Sequence, residues 1–543
     1  MSDEILSSAQ HSPSNPTEQP RDSAFAAPRR ALLIALALGW GFDLLFYRRA
    51  PGISFPIYAL LVVVALALLS LSERVRPRWS NLWIVAPLLF FAAMFAIRSN
   101  FVLSFLNFAA TLALLTLLAA YYSQGSLPSL GLLGYPFLPL GTLGHAAARP
   151  PKLISGSVDL KSVTARTERN VEPLLRGVLL AIPVLFIFTM LLASADLVFA
   201  EQVREFLSIE ILADILEWLW RLALILGAAW FLAGGFAYAL RPRASSEPGG
   251  ALAKVLETVG KPVSMGYFEA GVVVGLVDLL FLAFVRVQFE YLFGGQANIS
   301  QAGFTYSEYA RRGFFELVSV AVLSLGLVLG LQWLTRRRSV REGRAARTLN
   351  SLLIGLVLVI LASAFQRLML YEQAYGYTEL RVLSHVFMIW LAVGLVWFFV
   401  TQWMRPDRFA VGAFVCALGF VTTLNAINLD AFVARQNIAR FHLTRKVDAW
   451  YLTTLSDDAL PWVISFADSL RGKDQEILSD HLDRRLAWYA EHPAALYGPS
   501  FHFGRWQAYG VLQQWHDEGA ELDPSPSSRP AHEPPRPPTE GNR

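Results

Sequence analysis

The sequence "NSLLIGLVLVILASAFQRLMLYEQAYGYTELRVLSHVFMIWLAVGLVWFFVTQWM", residues 350–404, contains two long apolar runs joined by a short polar link. Each run has about 20 mainly apolar residues, which is the length that a helix needs to cross the hydrocarbon core of a bilayer. Backbone polar groups cannot stay unpaired in lipid, so a run in a membrane must be helical. The stretch therefore predicts two membrane-spanning helices with a polar turn between them.

Similar runs recur along the whole chain, which has 543 residues, of which 54% are hydrophobic and 16% are charged. This composition is too apolar for an ordinary soluble protein of that length. We predict an all-α fold, a polytopic transmembrane helix bundle of about eleven spans with a small helical C-terminal domain on its outer face. The predicted spans are 31–47, 53–72, 81–97, 101–122, 174–199, 216–240, 264–289, 313–335, 350–371, 380–404 and 409–428.

The basic residues indicate which links face the cytoplasm. With eleven spans and a cytoplasmic N-terminus, the cytoplasmic tail and links carry about 24 Lys and Arg, whereas the opposite links carry about 7. This bias predicts that the link after 371 and the chain after 428 lie outside. The basic run "RRRSVREGRAAR", 336–347, then serves as a topology anchor rather than a nucleic-acid site.

Composition along the chain predicts six segments. The stretch 127–144 contains three prolines and four glycines, so we expect an interfacial or re-entrant loop there rather than a spanning helix. In the C-terminal domain we expect three or four helices from the apolar spacing, with Ser456 and Asp457 as helix caps. The segments are a disordered tail 1–27, four helices in 28–122, a cytoplasmic link 123–173, a seven-span core 174–428, the outer domain 429–522 and a disordered tail 523–543.

Two carboxylates, Asp43 and Asp278, are predicted near the middle of their spans. Gly271 and Gly275 precede Asp278 at a spacing that lets two helices approach closely, so we expect Asp278 to face another helix. Charges inside a membrane are costly and mark candidate sites. Two interpretations stay open: these are proton or cation sites, or they are neutral or paired carboxyls that bond helices together.

Alternating acids, arginines and tyrosines are concentrated in the outer links and form a candidate outer polar layer. They can be an interfacial aromatic belt with ion pairs, or a docking surface or shallow substrate site. Within the layer we expect Arg367 or Arg381 to pair with an acid, namely Glu308, Glu316, Glu372 or Glu379. The layer consists of Arg286, Tyr306, Glu308, Tyr309, Arg311, Glu316, Arg367, Tyr371, Tyr375, Arg381, Asn425, Asp430, Asn437 and Arg440.

The sequence contains none of the HExxH, GxSxG or Walker motifs, and Cys416 is its only cysteine. Its histidines do not cluster at ligand spacing. We therefore expect no catalytic residue, cofactor or metal site that a motif would identify. The expected partners are the lipid bilayer and a protein on the outer face, with no nucleic acid; the oligomeric state stays open.

Three stretches carry a family resemblance: "FTYSEYARRGFFELV" (303–317), "RLMLYEQAYGYTELR" (367–381) and "NAINLDAFVARQNIARF" continuing to "VDAWYLTTLSDDALPWV" (425–463). Together they resemble a family of bacterial multi-spanning membrane proteins, the domain of unknown function four-one-seven-three, over about 170–465. The resemblance implies a bacterial cytoplasmic (inner) membrane protein. It implies no activity and no residue roles, because that family has none established.

These observations favour a non-enzymatic envelope scaffold or signalling component with an outer docking surface. A proton- or ion-coupled transporter that uses Asp43 or Asp278 is the first alternative. An outer-face transferase acting on lipid-linked substrates through a single carboxylate is the second.

Overall fold

The computed structural model describes residues 27–123, 125–127, 130–157, 209–240, 265–293, 314–335 and 339–522, together with five isolated positions (25, 188, 190, 192 and 196). The regular structure in these ranges is helical, apart from one isolated bridge of strand type that joins Met265 to Thr335. The helices are α1 (Pro28–Phe46), α2 (Ser54–Ser72), α3 (Val85–Ile97), α4 (Phe101–Tyr121), α5 (Gly134–Ala148), α6 (Pro150–Ser157), α7 (Ile209–Leu240), α8 (Tyr267–Phe293), α9 (Phe314–Leu334), α10 (Val340–Tyr375), α11 (Glu379–Met404), α12 (Phe409–Ile427), α13 (Leu429–Thr444), α14 (Ala449–Thr453), α15 (Leu460–Ala467), α16 (Lys473–Glu491) and α17 (Phe503–Leu522).

Nine helical segments in the described part of the chain are long and apolar enough to cross a membrane. They are α2, α3 with the 3-10 turn before it, α4, α7 to α11, and α12 with the turn before it. Helix α1, the predicted first span, is not among the nine; it carries Arg29, Arg30 and Asp43. The predicted span 174–199 lies almost entirely outside the described residues. The chain thus has the character of a multi-pass membrane protein.

These helices are apolar on both their buried and their exposed faces. On α2, for example, Ala65 and Leu69 are buried, while Leu61, Val64 and Leu68 are exposed. A helix that is hydrophobic all round is typical of a membrane span, because lipid rather than water covers its outer side.

The spans pack as two groups, α1 to α7 and α8 to α12, which meet where α12 contacts α3 and α4. Helices α11 and α12 approach closely at Gly412 and Gly419, where an added Cβ would overlap the rings of Trp397 and Trp390. Gly271 and Gly275, in contrast, have no atom of the described residues within 4 Å of that position. Within this part of the chain, the predicted close approach of a second helix at those two glycines does not occur.

The two ends of the bundle differ. Links 47–53, 98–100 and 376–378 and residue Asn428 lie at the end that α13 to α17 cover, which we call the capped end. The opposite end, which we call the open end, contains residues 122–123, 125–127, 130–133 and 405–408. Helices α13 to α17 share an apolar core to which Leu103, Val382 and Leu424 of the spans also belong.

Two local predictions differ from the structure. Residues 134–148 form helix α5, with Pro139 inside it, rather than a loop. Fifteen residues give about 22 Å of helix, less than the hydrocarbon thickness of about 30 Å, so α5 is too short to be a straight span. Ser456 occupies an N-cap position, but its hydroxyl makes no cap hydrogen bond. Asp457 instead binds Arg485.

Candidate functional site: a polar layer beneath the C-terminal helices

A buried pair of asparagines joins α4 to α12 close to the capped end. The Nδ2 of Asn107 donates to Oδ1 of Asn425 at 3.0 Å, and the Nδ2 of Asn425 donates to Oδ1 of Asn107 at 2.8 Å. Both side chains are fully buried, and Nε of Arg98 donates to the Asn425 carbonyl at 3.0 Å. Buried amides are stable only when paired, so this contact fixes the register of the two helices.

Asp430, at the start of α13, connects three segments. It is fully buried, and its Oδ2 accepts hydrogen bonds from Nδ2 of Asn100 at 2.9 Å and from the backbone N–H of Ser456 at 3.0 Å. Asn100 is also the N-cap of α4, where its Oδ1 accepts from the Leu103 N–H. One carboxylate therefore holds the beginning of α4, the beginning of α13 and the turn before α15 together.

A second contact between the spans and the C-terminal helices is reciprocal. The Ser99 N–H donates to Oδ2 of Asp458, and the Asp458 N–H donates to Oγ of Ser99, both at 3.0 Å. Burial raises the pKa of Asp458 to about 6, against the lowering effect of Ser99 and of the Arg98 charge. The link 98–100 thus binds the turn before α15 through both a backbone and a side-chain group of Ser99.

His502, just before α17, closes the same contact. It is 3% exposed, and its Nε2 donates to the Arg98 carbonyl at 3.2 Å. Burial is the main cause that lowers the pKa of His502 to about 4, and the charge of Arg505 acts in the same direction. His502 is therefore neutral near neutral pH.

The polar turn between α10 and α11 is held by α13. The side chain of Asn437 makes two hydrogen bonds of 2.8 Å to the backbone of Tyr377. Its Oδ1 accepts from the Tyr377 N–H, and its Nδ2 donates to the Tyr377 carbonyl. Arg440 donates to the carbonyls of Gln373 and Ala374 at 3.1 and 2.7 Å. These carbonyls end α10 without helical partners, so a cation is favourable there.

Arg381 and Glu372 have partners other than the predicted ones. Arg381 donates to the Gly376 carbonyl, and its guanidinium lies 4.1 Å from the centre of the Tyr371 ring. Glu372 is 2% exposed and accepts from Nδ1 of His385 at 3.1 Å. Among the described acids, the predicted pairing of Arg381 with Glu372 or Glu379 does not occur.

Arg367 donates to Oε1 of Gln288 on α8 at 3.0 Å, and Ser363 donates to the same oxygen at 3.1 Å. This contact joins α8 to α10. Part of the remaining predicted layer lies within the described residues. Tyr375 packs against Tyr371, Glu316 lies on α9, and Arg286 lies on α8. Four predicted residues lie outside the described part of the chain: Tyr306, Glu308, Tyr309 and Arg311.

The two intramembrane carboxylates have different environments. Asp43 lies only three residues before the end of α1, toward the capped end rather than mid-membrane, and Arg221 binds its Oδ2 at 2.6 Å. Asp278 lies near the middle of the 27-residue α8 and is 4% exposed. Neither of its oxygens has a hydrogen-bond partner in the described structure. Asp43 is a paired carboxyl, whereas Asp278 is not.

Sequence reasoning missed several residues of the layer, notably Asn100, Asn107, Asp458 and His502. An asparagine within the apolar run "FVLSFLNFAATL" was an available signal for Asn107, because a buried amide needs a partner. In the described ranges, no group of three or more His, Cys, Asp or Glu could hold a metal ion. The layer's contacts join segments to each other.

A protein-family model described as "Domain of unknown function (DUF4153)" matches residues 85–466. The match covers α3 to α15 nearly completely and includes all three stretches of the resemblance. The expectation of a family of unknown function is confirmed. The matched family carries the number 4153, whereas the number expected from the stretches was four-one-seven-three. No curated protein and no solved structure matches the chain.

Proposed function

The chain belongs to the family described as Domain of unknown function (DUF4153), which assigns no activity, and we propose on its geometry that it is a membrane scaffold or signalling component. In this proposal α13 to α17 are docked on the capped end and present a surface to a protein partner. The observation that carries it is buried Asp430, whose Oδ2 alone accepts hydrogen bonds from both Asn100 of the spans and Ser456 of the C-terminal helices.

Buried polar contacts of this kind favour one orientation over others. Breaking one of them leaves a desolvated group, which costs about 1–3 kcal/mol. Apolar packing alone allows sliding, whereas paired hydrogen bonds at Asp430, Asp458 and Asn437 do not. A fixed orientation is useful for a recognition surface, and large apolar side chains are exposed on this unit, including Leu443 and Trp450.

The proposal places the protein in a bacterial cytoplasmic membrane with the capped end outside. Its support is the distribution of Lys and Arg, which are concentrated in the links of the open end, including 336–347. A partner would then be a protein of the cell envelope.

Photo-crosslinking in living cells tests this function. A photoreactive amino acid at Leu443 or Trp450 should yield one reproducible protein adduct, and the same group at Asp407 of the open end should not yield it. Asp430→Ala should remove the adduct while membrane abundance is retained. Deleting 429–522 should reproduce the phenotype of a complete gene deletion. Adducts with lipid alone, or an adduct that survives Asp430→Ala, would contradict the proposal.

A proton- or ion-coupled transporter is the second candidate, and buried, unpartnered Asp278 is the observation that favours it. Purified protein in liposomes should then dissipate a pH gradient when the right solute is added. Asp278→Asn should stop this flux, while Asp43→Asn, which alters a paired carboxyl, should reduce it less. Under the scaffold function, Asp278→Asn leaves the cellular phenotype intact.

A further inference from the structure

A small cavity opens between α8, α9 and α10 at the open end. Its volume is about 30 Å³, enough for about two water molecules. Four of its lining residues carry polar groups: Tyr267, Gln332, Thr335 and Asn350. The buried hydroxyl of Thr335 has no hydrogen-bond partner in the described structure, so it can bind a water molecule in this cavity.

A larger cavity of about 630 Å³ lies beside it, between Ser126, residues 130–132, α9, α10, α11 and residues 406–410. Gln332 lines both cavities, so the two adjoin at that side chain. Charged side chains of the larger cavity, such as Arg347 and Asp407, keep it hydrated. Water can therefore reach Gln332 from the open end.

Asp278 lies one helical turn beyond the small cavity. The lining on α8 ends with Ala270, Gly271 and Val274, and Asp278 follows Val274 by four residues on the same helix face. One turn corresponds to about 5–6 Å along the helix axis. On α9 the corresponding step leads from Val328 to buried Ser324, so the layer next to the cavity includes a carboxyl and a hydroxyl.

The surroundings of Asp278 disfavour its ionised form. Burying an unpaired carboxylate is costly, and a neutral acid avoids that cost. The charged residues on the packed helices lie toward the two ends: Glu269 and Arg347 toward the open end, and Arg286, Glu316 and Arg367 toward the capped end. None of them binds Asp278, whereas Asp43 has Arg221.

We propose that Asp278 is a proton-binding site that exchanges its proton with the open end of the bundle through water in these two cavities. Toward the capped end, the next polar residues on α8 are Arg286 and Gln288, two turns or more from Asp278. Ser363 and Arg367 donate to Oε1 of Gln288, and apolar Phe281 and Val285 lie between it and Asp278. A bound metal cation would need several oxygen ligands. Among the described residues, Asp278 belongs to no group of three or more His, Cys, Asp or Glu that could hold a metal ion. The inference is independent of docking and requires no transported solute.

Labelling with dicyclohexylcarbodiimide tests the site. This apolar reagent adds to a protonated carboxyl: the acid proton moves to a carbodiimide nitrogen, the carboxyl oxygen bonds to the central carbon, and rearrangement gives a stable N-acylurea without a leaving group. Mass spectrometry of the full-length protein should find the adduct at Asp278, at a rate that falls at least tenfold from about pH 6 to about pH 9. Asp43 should stay unlabelled, Asp278→Glu should retain labelling and Asp278→Asn should lose it.

Sealed liposomes with a different pH on each side test the route. The labelling rate should follow the pH on the open-end side, and Gln332→Leu should slow its response to a pH jump several-fold. Ser319→Ala, on the same helix but outside both cavities, should not change it. Labelling that follows the capped-end pH, is independent of pH or occurs at Asp43 instead would overturn the proposal. Protection by Na⁺ at constant pH would also overturn it, because the site would then bind a cation.

Discussion

Asn107 and Asn425 satisfy each other's amides inside an apolar bundle, and neither has water as an alternative. The value of such a contact depends on what remains when it is broken. Removing Asn107 leaves the buried Oδ1 of Asn425 without its donor, although the Nδ2 of Asn425 still donates to the Val421 carbonyl at 2.9 Å. Removing both amides leaves only apolar surface. The effects of replacing Asn107 and Asn425 on the free energy of unfolding should therefore not be additive.

We expect Asn107→Leu to lower the free energy of unfolding by about 1 kcal/mol, because the buried Oδ1 of Asn425 loses its donor. Adding Asn425→Leu should cost less than its effect alone. Thermal unfolding in detergent for the two single variants and the double variant measures this coupling. Strictly additive changes in Tm would show that the two amides do not depend on each other.

Asp458 and His502 respond to acid in opposite directions. Folding raises the pKa of Asp458 to about 6 from its ordinary 3.8, so proton uptake stabilises the folded form as the pH falls through that interval. Folding lowers the pKa of His502 to about 4 from 6.5, so protonation destabilises the folded form over nearly the same interval. Each effect amounts to at most about 3 kcal/mol, and in the native protein they largely cancel.

Separating the two groups should reveal this balance. Asp458→Asn leaves the His502 effect, so its Tm relative to the native protein should fall between about pH 6.5 and about pH 4. His502→Gln leaves the Asp458 effect, so its relative Tm should rise over that interval. Differential scanning fluorimetry across this pH range provides the measurement. Parallel pH profiles for both variants would show that neither group titrates in the way its burial implies.

At the scale of elements, the beginning of α17 can pack closely against its neighbours because Gly504 has no side chain. An added Cβ would overlap Oδ1 of Asp458 and lie 3.0 Å from the Ile97 carbonyl. This is the point where α17, the turn before α15 and the end of α3 converge. Gly510 is on the same helix, and no atom of the described residues lies within 4 Å of the position its Cβ would take.

Gly504→Ala should therefore destabilise docking by about 1–3 kcal/mol, since the Asp458 contact must shift. Gly510→Ala is the matched control and should be neutral or stabilise α17 by up to about 1 kcal/mol, because alanine favours a helix. Resistance of α13 to α17 to limited proteolysis, compared between the two variants, gives the readout. Equal resistance would mean that the approach at Gly504 does not limit docking.

The lengths of the apolar runs predicted most of the helices, because whether a run can span a membrane depends only on its own residues. The contacts between helices could not be predicted in this way, because they depend on residues that are distant in the sequence. Gly271 and Gly275 match a packing motif but have no close neighbour among the described residues, while tryptophan rings pack against Gly412 and Gly419, which no local sequence pattern predicts. The helix at 134–148 forms despite Pro139, because packing on α4 and α7 outweighs propensity. Asn437 and Arg440 were identifiable as polar residues, but their partners, the backbone ends of α10, were not.

For the whole molecule, several buried polar groups at the capped end, among them Asn100, Asp430 and Asp458, bond to other segments, whereas both cavities described above adjoin the open end. The same asymmetry is present in the basic residues of the links. The two ends are therefore expected to face different compartments.

Cysteine labelling can establish this orientation. With Cys416 replaced by Ala, a single cysteine at Ser469 of the capped end should react with a membrane-impermeant maleimide in intact cells. A cysteine at Arg341, near the beginning of α10, should react only after the cells are permeabilised. The reverse pattern would invert the proposed topology.

The capped end also has a consequence for synthesis of the protein. The partners that join Asn100 to Asp430, Asn107 to Asn425 and Ser99 to Asp458 are 330, 318 and 359 residues apart in the chain. When α4 leaves the ribosome, Asn107 enters the bilayer long before the helix that satisfies it exists. The polar contacts of the capped end therefore form late in folding. A chain interrupted before α12 leaves Asn107 without its partner in the bilayer, and membrane quality control can recognise this exposed polar group.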